Sequence, residues 1–328
     1  MKTINFYFAP NSDMSWNPYT IRNAGLGGNY VAVWNLAKSL AKRGHKVTIY
    51  SHIHGEDVYM DVAVKDIRRL RTDNPQPDVF ISCESGIPQE ITGKKINWIH
   101  RNIGDGIDTQ NFDCHVFASE FHKKYLDTEG EVIPNGVDVE LFVPNDDRLE
   151  SDITFSGHPI KGMQYLPAII NKVRTTIPMV NVHIYGNAEI WGWNNDDFIP
   201  LQKTLIENRL KYHGRIGQGN LAKYMAQSKV FLYPSTFQEP FGMAVLEAMA
   251  CGCVPVVSEV GNIPELIKDC GIVVGGLPTD FGWATQAAEK VVELLADRDM
   301  FREYSRKCVA RAKAYNWNII AELWENIF

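Results

Sequence analysis

The chain has 328 residues, 45% of them hydrophobic and 22% charged, with a formal net charge of −6. That length suggests two domains, each with its own core, in the composition of an ordinary soluble protein. Charge is spread evenly, with 15 basic and 18 acidic side chains through residue 145 and 18 and 21 after it, so no nucleic-acid partner and at most peripheral membrane association are expected.

The opening run Met-Lys-Thr-Ile-Asn-Phe-Tyr-Phe-Ala-Pro is no signal peptide, because Asn5 and Pro10 break a short apolar stretch. Residues 4–9 read instead as a first strand. A polar loop follows. Its Trp16 and Tyr19 suit either a sugar ring or packing on the scaffold, and Gly25, Gly27 and Gly28 close it. Tyr30, Val33, Trp34, Ala37, Leu40 and Ala41 then recur at helical spacing until Gly44. Residues 45–50, 79–83, 96–100 and 114–118 read as further strands. Lys65, Arg68, Arg69 and Arg71 read as a solvated helix face rather than a docking patch. The turn-rich stretch from Pro134 through residue 146 is the best domain boundary.

The pattern then restarts, with strands expected at 153–156, 182–185, 211–213, 229–233 and 254–258. This is the alternation of a parallel α/β sheet. Residues 243–250 form an apolar helical stretch. The chain is helical from about residue 281, and Asp297 and Asp299 fall at a helix junction, where capping is the expected role. A break at 315–318 precedes a last helix, which either caps its own domain or crosses back to the first. No apolar segment is long enough to span a bilayer. The six cysteines are scattered, and Cys251-Gly-Cys253 lacks a second ligand cluster. They read as small buried thiols in a reducing cytoplasm, not as a zinc site.

Chemistry concentrates in a few places. Seven residues separate Glu239 from Glu247 across the turn Pro240-Phe241-Gly242 and the helix that it opens. A carboxylate in so apolar a helix is either exposed or satisfied by a specific partner. Two carboxylates thus bracket a helix N-terminus, whose free N–H groups suit a phosphate while the carboxylates suit sugar hydroxyls. Gly157-His158-Pro-Ile-Lys161-Gly162 follows a strand, and its lysine is placed to neutralise a diphosphate or simply to face solvent. His100 ends a strand and faces either a cleft or the core. The Gly25–Gly28 loop fails the dinucleotide fingerprint in spacing, and a plain turn explains it equally well.

Taken together, these segments resemble retaining nucleotide-sugar glycosyltransferases of family four, which have the GT-B architecture. The resemblance rests on Gly27-Gly28 and the Gly44-His45 strand start, Val132-Ile-Pro-Asn-Gly-Val-Asp138, Ser156-Gly157 through Lys161-Gly162, and Phe231 through Glu239-Pro-Phe-Gly to Glu247-Ala-Met-Ala-Cys-Gly. Residues 254–265 continue the last of these. It implies an α/β fold of two Rossmann-like, doubly wound parallel-sheet domains facing a central cleft. The domains would be 1–143 on the acceptor side and 144–312 for the nucleotide sugar. Residues 313–328 would be a helix returning to the first domain, introduced by Trp317.

The implied activity moves a hexose-type sugar from a nucleoside diphosphate sugar, UDP- or GDP-linked, to a hydroxyl on a glycan, lipid-linked or small-molecule acceptor. Retention at the anomeric carbon and no metal or other cofactor are implied. Lys161, Glu239 and His100 would be catalytic. Gly27, Gly28, Gly157, His158, Lys161, Arg215, Ile216, Glu239, Phe241, Gly242, Met243 and Glu247 would bind the donor. Glu247 would take the ribose hydroxyls and Glu239 those of the sugar. Acceptor choice would lie in loops 11–23 and 86–92. One departure stands out: the family pairs its lysine with an arginine, and here His158 occupies that place, with Arg101 and Arg215 as candidates to compensate. A sugar-nucleotide epimerase and a non-catalytic nucleotide-sugar-binding or partner subunit are the rival readings.

Overall fold

The computed structural model describes residues 1–9, 14–83, 85–102, 110–145, 148 and 152–328. Residues 11–13 of the expected acceptor loop and residue 146 of the expected boundary lie outside the described residues. Two compact units emerge. One comprises residues 1–22, 26–136 and 315–328, and the other 23–25 and 137–314. The sequence reading divides the chain at 143/144 and 312/313.

The first unit runs β1 (Thr3–Phe8), α1 (Pro18–Asn23), α2 (Gly28–Lys42), β2 (Lys46–Ser51), β3 (Asp57–Tyr59), β4 (Val62–Asp66), α3 (Arg69–Asp73), β5 (Val79–Cys83), β6 (Lys94–Ile99), β7 (Cys114–Phe117), α4 (Glu120–Leu126) and β8 (Glu131–Val132). Its sheet has the order β3-β4-β2-β1-β5-β6-β7-β8. Every pairing is parallel except the β3–β4 hairpin at one edge. The second unit runs β9 (Asp152–Ser156), α5 (Leu166–Val173), β10 (Asn181–Tyr185), α6 (Ile199–Glu207), β11 (Lys211–Gly214), α7 (Gln218–Met225), β12 (Val230–Tyr233), α8 (Met243–Ala250), β13 (Val254–Ser258), α9 (Ile263–Ile267), β14 (Ile272–Val274), α10 (Trp283–Ala296) and α11 (Arg298–Lys313). Its sheet is all parallel, in the order β11-β10-β9-β12-β13-β14. The chain builds outward from β9 on one side and then crosses to β12 on the other. That switch opens a crevice at the carboxyl ends of β9 and β12.

Covered on both faces, the central strands need continuous apolar runs. Val-Phe-Leu-Tyr of β12 and Val-Pro-Val-Val-Ser of β13 are buried throughout. The basic cluster corrects its sequence reading. Lys65 lies on β4, Arg68 precedes α3, and Arg69 and Arg71 lie within it, so no single helix face carries them. Lys65 pairs with Asp73 at 2.6 Å and Arg68 with Asp66 at 2.7 Å. The glycine loop follows α1 rather than the first strand directly. Trp16 belongs to the scaffold: it is fully buried beside Phe8 and Tyr30, and its indole N–H donates to Ser51 Oγ at 2.9 Å. Tyr19 is exposed and meets Tyr59 edge-on. Asp297 caps α11, accepting from the N–H groups of Asp299 and Met300. Five of the cysteines are buried, all six are free thiols, and no helix among the described residues is long and apolar enough to cross a membrane.

The last helix, α12 (Trp317–Glu325), packs in the first unit against α2. Asn316 caps it, and its buried face is Trp317, Ile320, Ala321 and Trp324, with Trp324 edge-on to Trp98. At its far end Glu325 accepts two bonds from Arg43, at 2.7 and 2.9 Å, and stands 2.8 Å from His45 Nε2. The His45 Nδ1 accepts the backbone N–H of Lys2, so one residue ties the chain start to the chain end. Hydrogen bonding from Arg43 holds the Glu325 carboxyl down at about 2. A depressed acid stabilises the fold above its unfolded value of 4.5 and loses that contribution as pH falls through about 2. E325Q is therefore expected to cost roughly 1 kcal/mol at pH 7. Its deficit in thermal unfolding should vanish near pH 2, and a deficit equal at both pH values would assign the loss to packing instead.

Candidate functional site

The site grows from two turns at the carboxyl ends of β9 and β12. After β9, His158 caps a 3-10 turn over Pro159–Lys161. Gly162 follows with φ of +100°, and a Cβ there would overlap the carbonyl oxygen of Pro234. Only glycine both accepts that backbone and allows that approach. Lys161 is thereby delivered to Glu239, its ammonium 2.7 Å from Oε1 and 2.9 Å from Oε2. The ring centroids of Trp191 and Phe237 lie 5.2 and 4.9 Å from the same ammonium, close enough for attraction by both π faces. Tyr233 donates its hydroxyl to Glu239 Oε1 at 2.6 Å. Burial and the Glu239 charge keep that phenol protonated, well above its ordinary range.

The turn from β12 into α8 is fastened to the segment after β13. Ser258 Oγ donates to the Ser235 carbonyl, and Gly261 N–H donates to Gln238 Oε1 at 3.1 Å. Asn262 N–H donates to the Glu239 carbonyl at 2.9 Å, and the Asn262 side chain donates to that of Phe241 at 2.9 Å. Gly242 precedes α8 with φ of +102°, where a Cβ would overlap Ile263. Met243 is then the first residue of α8, with its free N–H groups beside the Glu239 turn.

Glu247, one turn along α8, is buried and accepts from Gln218 Nε2 at 2.7 Å. Gln218 opens α7, two residues beyond Ile216. Arg215 donates to the Glu189 carbonyl at 3.3 Å. The backbone ties the neighbouring strand ends, with Gly157 N–H donating to the Tyr185 carbonyl and Gly186 N–H to that of Gly214. Gly157, His158, Lys161, Arg215, Ile216, Glu239, Phe241, Gly242 and Met243 therefore sit on loops or helix starts beyond the carboxyl ends of the strands of the second sheet, with Glu247 one turn along α8.

The remaining expected residues belong to the first unit. Gly27 precedes α2 and Gly28 begins it. His100 follows β6 with its ring 4.4 Å from that of Trp98. Burial pushes the His100 imidazole down to about 3, with the neighbouring His122 adding to the effect, so it is neutral at pH 7. His158 is fully buried and likewise pushed down to about 3, by burial first and by Lys161 second. It supplies no cation beside Lys161. Tyr233, Gln218, Asn262, Trp191 and Phe237 were not singled out from the sequence. Gln218 directly after Gly217 at a helix start, and Asn262 within Gly-Asn-Ile-Pro-Glu, were the available signals.

Residues 156–315 match the family model described as glycosyl transferases group 1. This segment, just under half of the chain, is similar to the group 1 glycosyl transferases. Relatives include the phosphatidyl-myo-inositol mannosyltransferase of Mycobacterium tuberculosis, 27% identical over 215 residues, which are 62% of this chain and 55% of that protein. The D-inositol 3-phosphate glycosyltransferase of Segniliparus rotundus is 28% identical over 206 residues, 58% of this chain and 45% of its own. The chain thus spans about half the length of these relatives. Among solved structures, sucrose-phosphate synthase from Thermosynechococcus elongatus superposes with a TM-score of 0.80 at 18% identity, covering 99% of this chain and 98% of that one. Anabaena Alr3699/HepE in complex with UDP-glucose gives 0.74 at 16%, covering 100% and 99%. At these identities the likeness is one of fold, and that fold is GT-B.

The Glu247 carboxyl carries a pH signature. Burial pushes it up to about 8 against the opposing hydrogen bond from Gln218. A raised acid keeps a proton that the unfolded chain releases near 4.5, so stability falls as pH climbs from there toward 8. E247Q, neutral throughout, is expected to match the wild type near pH 4.5 and to melt several degrees higher at pH 8. Parallel melting curves across that range would show that Glu247 ionises normally.

Proposed function

We propose that the protein transfers a hexose-type sugar from a UDP- or GDP-linked donor to a hydroxyl acceptor, with retention and without a metal. The observation that carries this reading is the Lys161–Glu239 pair at the start of α8, with buried Glu247 one turn beyond. Glu239 has carboxylate oxygens to receive sugar hydroxyls. Glu247, mostly protonated at pH 7, accepts through one oxygen and has a hydroxyl to donate, which suits the two hydroxyls of a ribose. Lys161 offsets the charge that collects on the diphosphate as the anomeric C–O bond breaks. The new bond forms from the acceptor oxygen on the same face, and the departing phosphate takes the acceptor's proton. No protein nucleophile is needed; the protein contributes positioning and electrostatics. His100, Gly27 and Gly28, which lie on the first unit, remain part of the proposal as donor-binding residues. A cytoplasmic setting is part of this proposal.

The neutral His158 favours a second reading, a nucleotide-sugar-binding or partner subunit with little turnover, because one positive charge is missing from the leaving-group site. A thermal-shift screen of nucleoside diphosphates and their sugars, followed by a transfer assay over hydroxyl acceptors, separates the two. Stabilisation by one base together with turnover is the expected result. K161A should reduce that turnover at least about a hundredfold per folded molecule, with the folded fraction measured by circular dichroism because Glu239 loses its partner. Unchanged turnover would remove Lys161 from the chemistry, and donor binding without turnover in the wild type would establish the binding subunit.

A further inference from the structure

The two oxygens of Glu239 are held unequally. Oε1 accepts the Tyr233 hydroxyl at 2.6 Å and adjoins the Lys161 ammonium at 2.7 Å, whereas Oε2 meets only Lys161, at 2.9 Å. A carboxylate has about four acceptor positions, two on each oxygen, so Oε1 is full and Oε2 keeps one open. The two partners also differ in permanence. The Lys161 side chain is 17% exposed and ends a flexible stem, and a diphosphate would compete with Glu239 for its ammonium. The turn beneath it is fixed, because His158 stacks on Trp191 with centroids 4.2 Å apart and meets Trp193 and Phe198 edge-on. The ammonium can therefore turn while its backbone stays. Tyr233 has no such freedom. It ends β12, is 2% exposed, and stacks on Phe155 and Phe231 at 5.6 and 5.5 Å. Among the described residues Glu239 is the one acceptor of its hydroxyl, and turning that hydroxyl away would leave a buried donor unpaired.

We propose that Tyr233 is a positioning residue for recognition of the transferred sugar: its hydroxyl pins Glu239 Oε1 and so presents Oε2 to a sugar hydroxyl. This rests on the donor-site reading given above. Without the Tyr233 bond, the carboxylate would turn about its last bond and follow Lys161 whenever the ammonium swings to the diphosphate. With the bond, Oε1 stays tied to the strand end and the open acceptor position stays on Oε2. An acceptor of fixed direction favours the sugar epimer whose hydroxyl meets it over one whose hydroxyl points elsewhere. Tyr233 touches no ligand in this scheme and acts through Glu239, six positions further along the chain.

Titration calorimetry on the full chain tests the proposal with UDP and GDP and with UDP-glucose, UDP-galactose, UDP-N-acetylglucosamine and GDP-mannose. Y233F keeps the ring and its stacking and removes only the hydroxyl. It should leave affinity for the diphosphate unchanged and weaken the sugar nucleotide that the wild type binds by about tenfold. A loss shared equally by diphosphate and sugar nucleotide would give Tyr233 a merely structural part. No loss in either would show that Glu239 does not depend on it. Both results overturn the proposal while leaving the donor site standing. Wild-type protein that binds none of the sugar nucleotides would overturn both. Should Y233F fail to fold, tyrosine-labelled wild type gives the answer by NMR. A Tyr233 hydroxyl proton that stays shielded from exchange on saturation with the sugar nucleotide is expected. A hydroxyl proton that exchanges freely with water in that complex would sink the idea.

Discussion

The loops of the second unit hang on one ion pair, its carboxylate buried and its ammonium partly exposed. Lys161 and Glu239 stand 78 residues apart in sequence and meet at 2.7 Å. Taking both charges out of water costs several kcal/mol per ion unless geometry and further bonds compensate. Here they do. Tyr233 occupies Glu239 from the strand side, and the faces of Trp191 and Phe237 take the ammonium. Loss of either partner would strand the other charge in a poorly solvated place. The turn after β9 and the turn before α8 are therefore coupled, and neither can shift without exposing a charge to an apolar surrounding.

The backbone reinforces that coupling. Parallel strands bring the ends of β9, β12 and β13 to one edge, and side chains then fasten loop to loop: Ser258 to Ser235, and Asn262 to both Glu239 and Phe241. Gly162 and Gly242 occupy conformations and spaces closed to a Cβ. The result is a set of donors and acceptors fixed before any ligand arrives. Preorganisation of this kind lets electrostatics act on a leaving group without paying for rearrangement at the moment of reaction.

Much of this was legible in the chain. Residues 79–83, 243–250 and 254–258 match β5, α8 and β13 end for end. Strands buried on both faces must be continuously apolar, and glycine and proline punctuate their ends. Strands β3, β4, β8 and β14 escaped notice. They have two to five residues and are only partly buried, so any apolar run in them is too short to stand out. Lys161 and Glu239 were visible because each adjoins a glycine- or proline-bearing turn. Tyr233 looked like ordinary strand core, and Gln218 like any polar residue at a helix start. Their importance lies in partners that local pattern does not encode.

The sequence by itself determined the alternation of strand and helix, the two-part α/β organisation, the helix between the two glutamates and the cap at Asp297. These follow from periodicity, burial demand and turn chemistry within a few neighbouring residues. Tertiary structure decided the charge states and the partnerships. Glu247 is pushed toward neutrality because α7 and the core close around it, with Gln218 as its contact from 29 positions away. His158 is neutral because Trp191, Trp193 and Phe198 wall it in. The last helix lies on α2 because its apolar face, Trp317, Ile320, Ala321 and Trp324, is buried there, with Arg43 and His45 meeting Glu325 at its far end. Desolvation and long-range pairing depend on what the folded chain places nearby, and no local reading of residues contains that information.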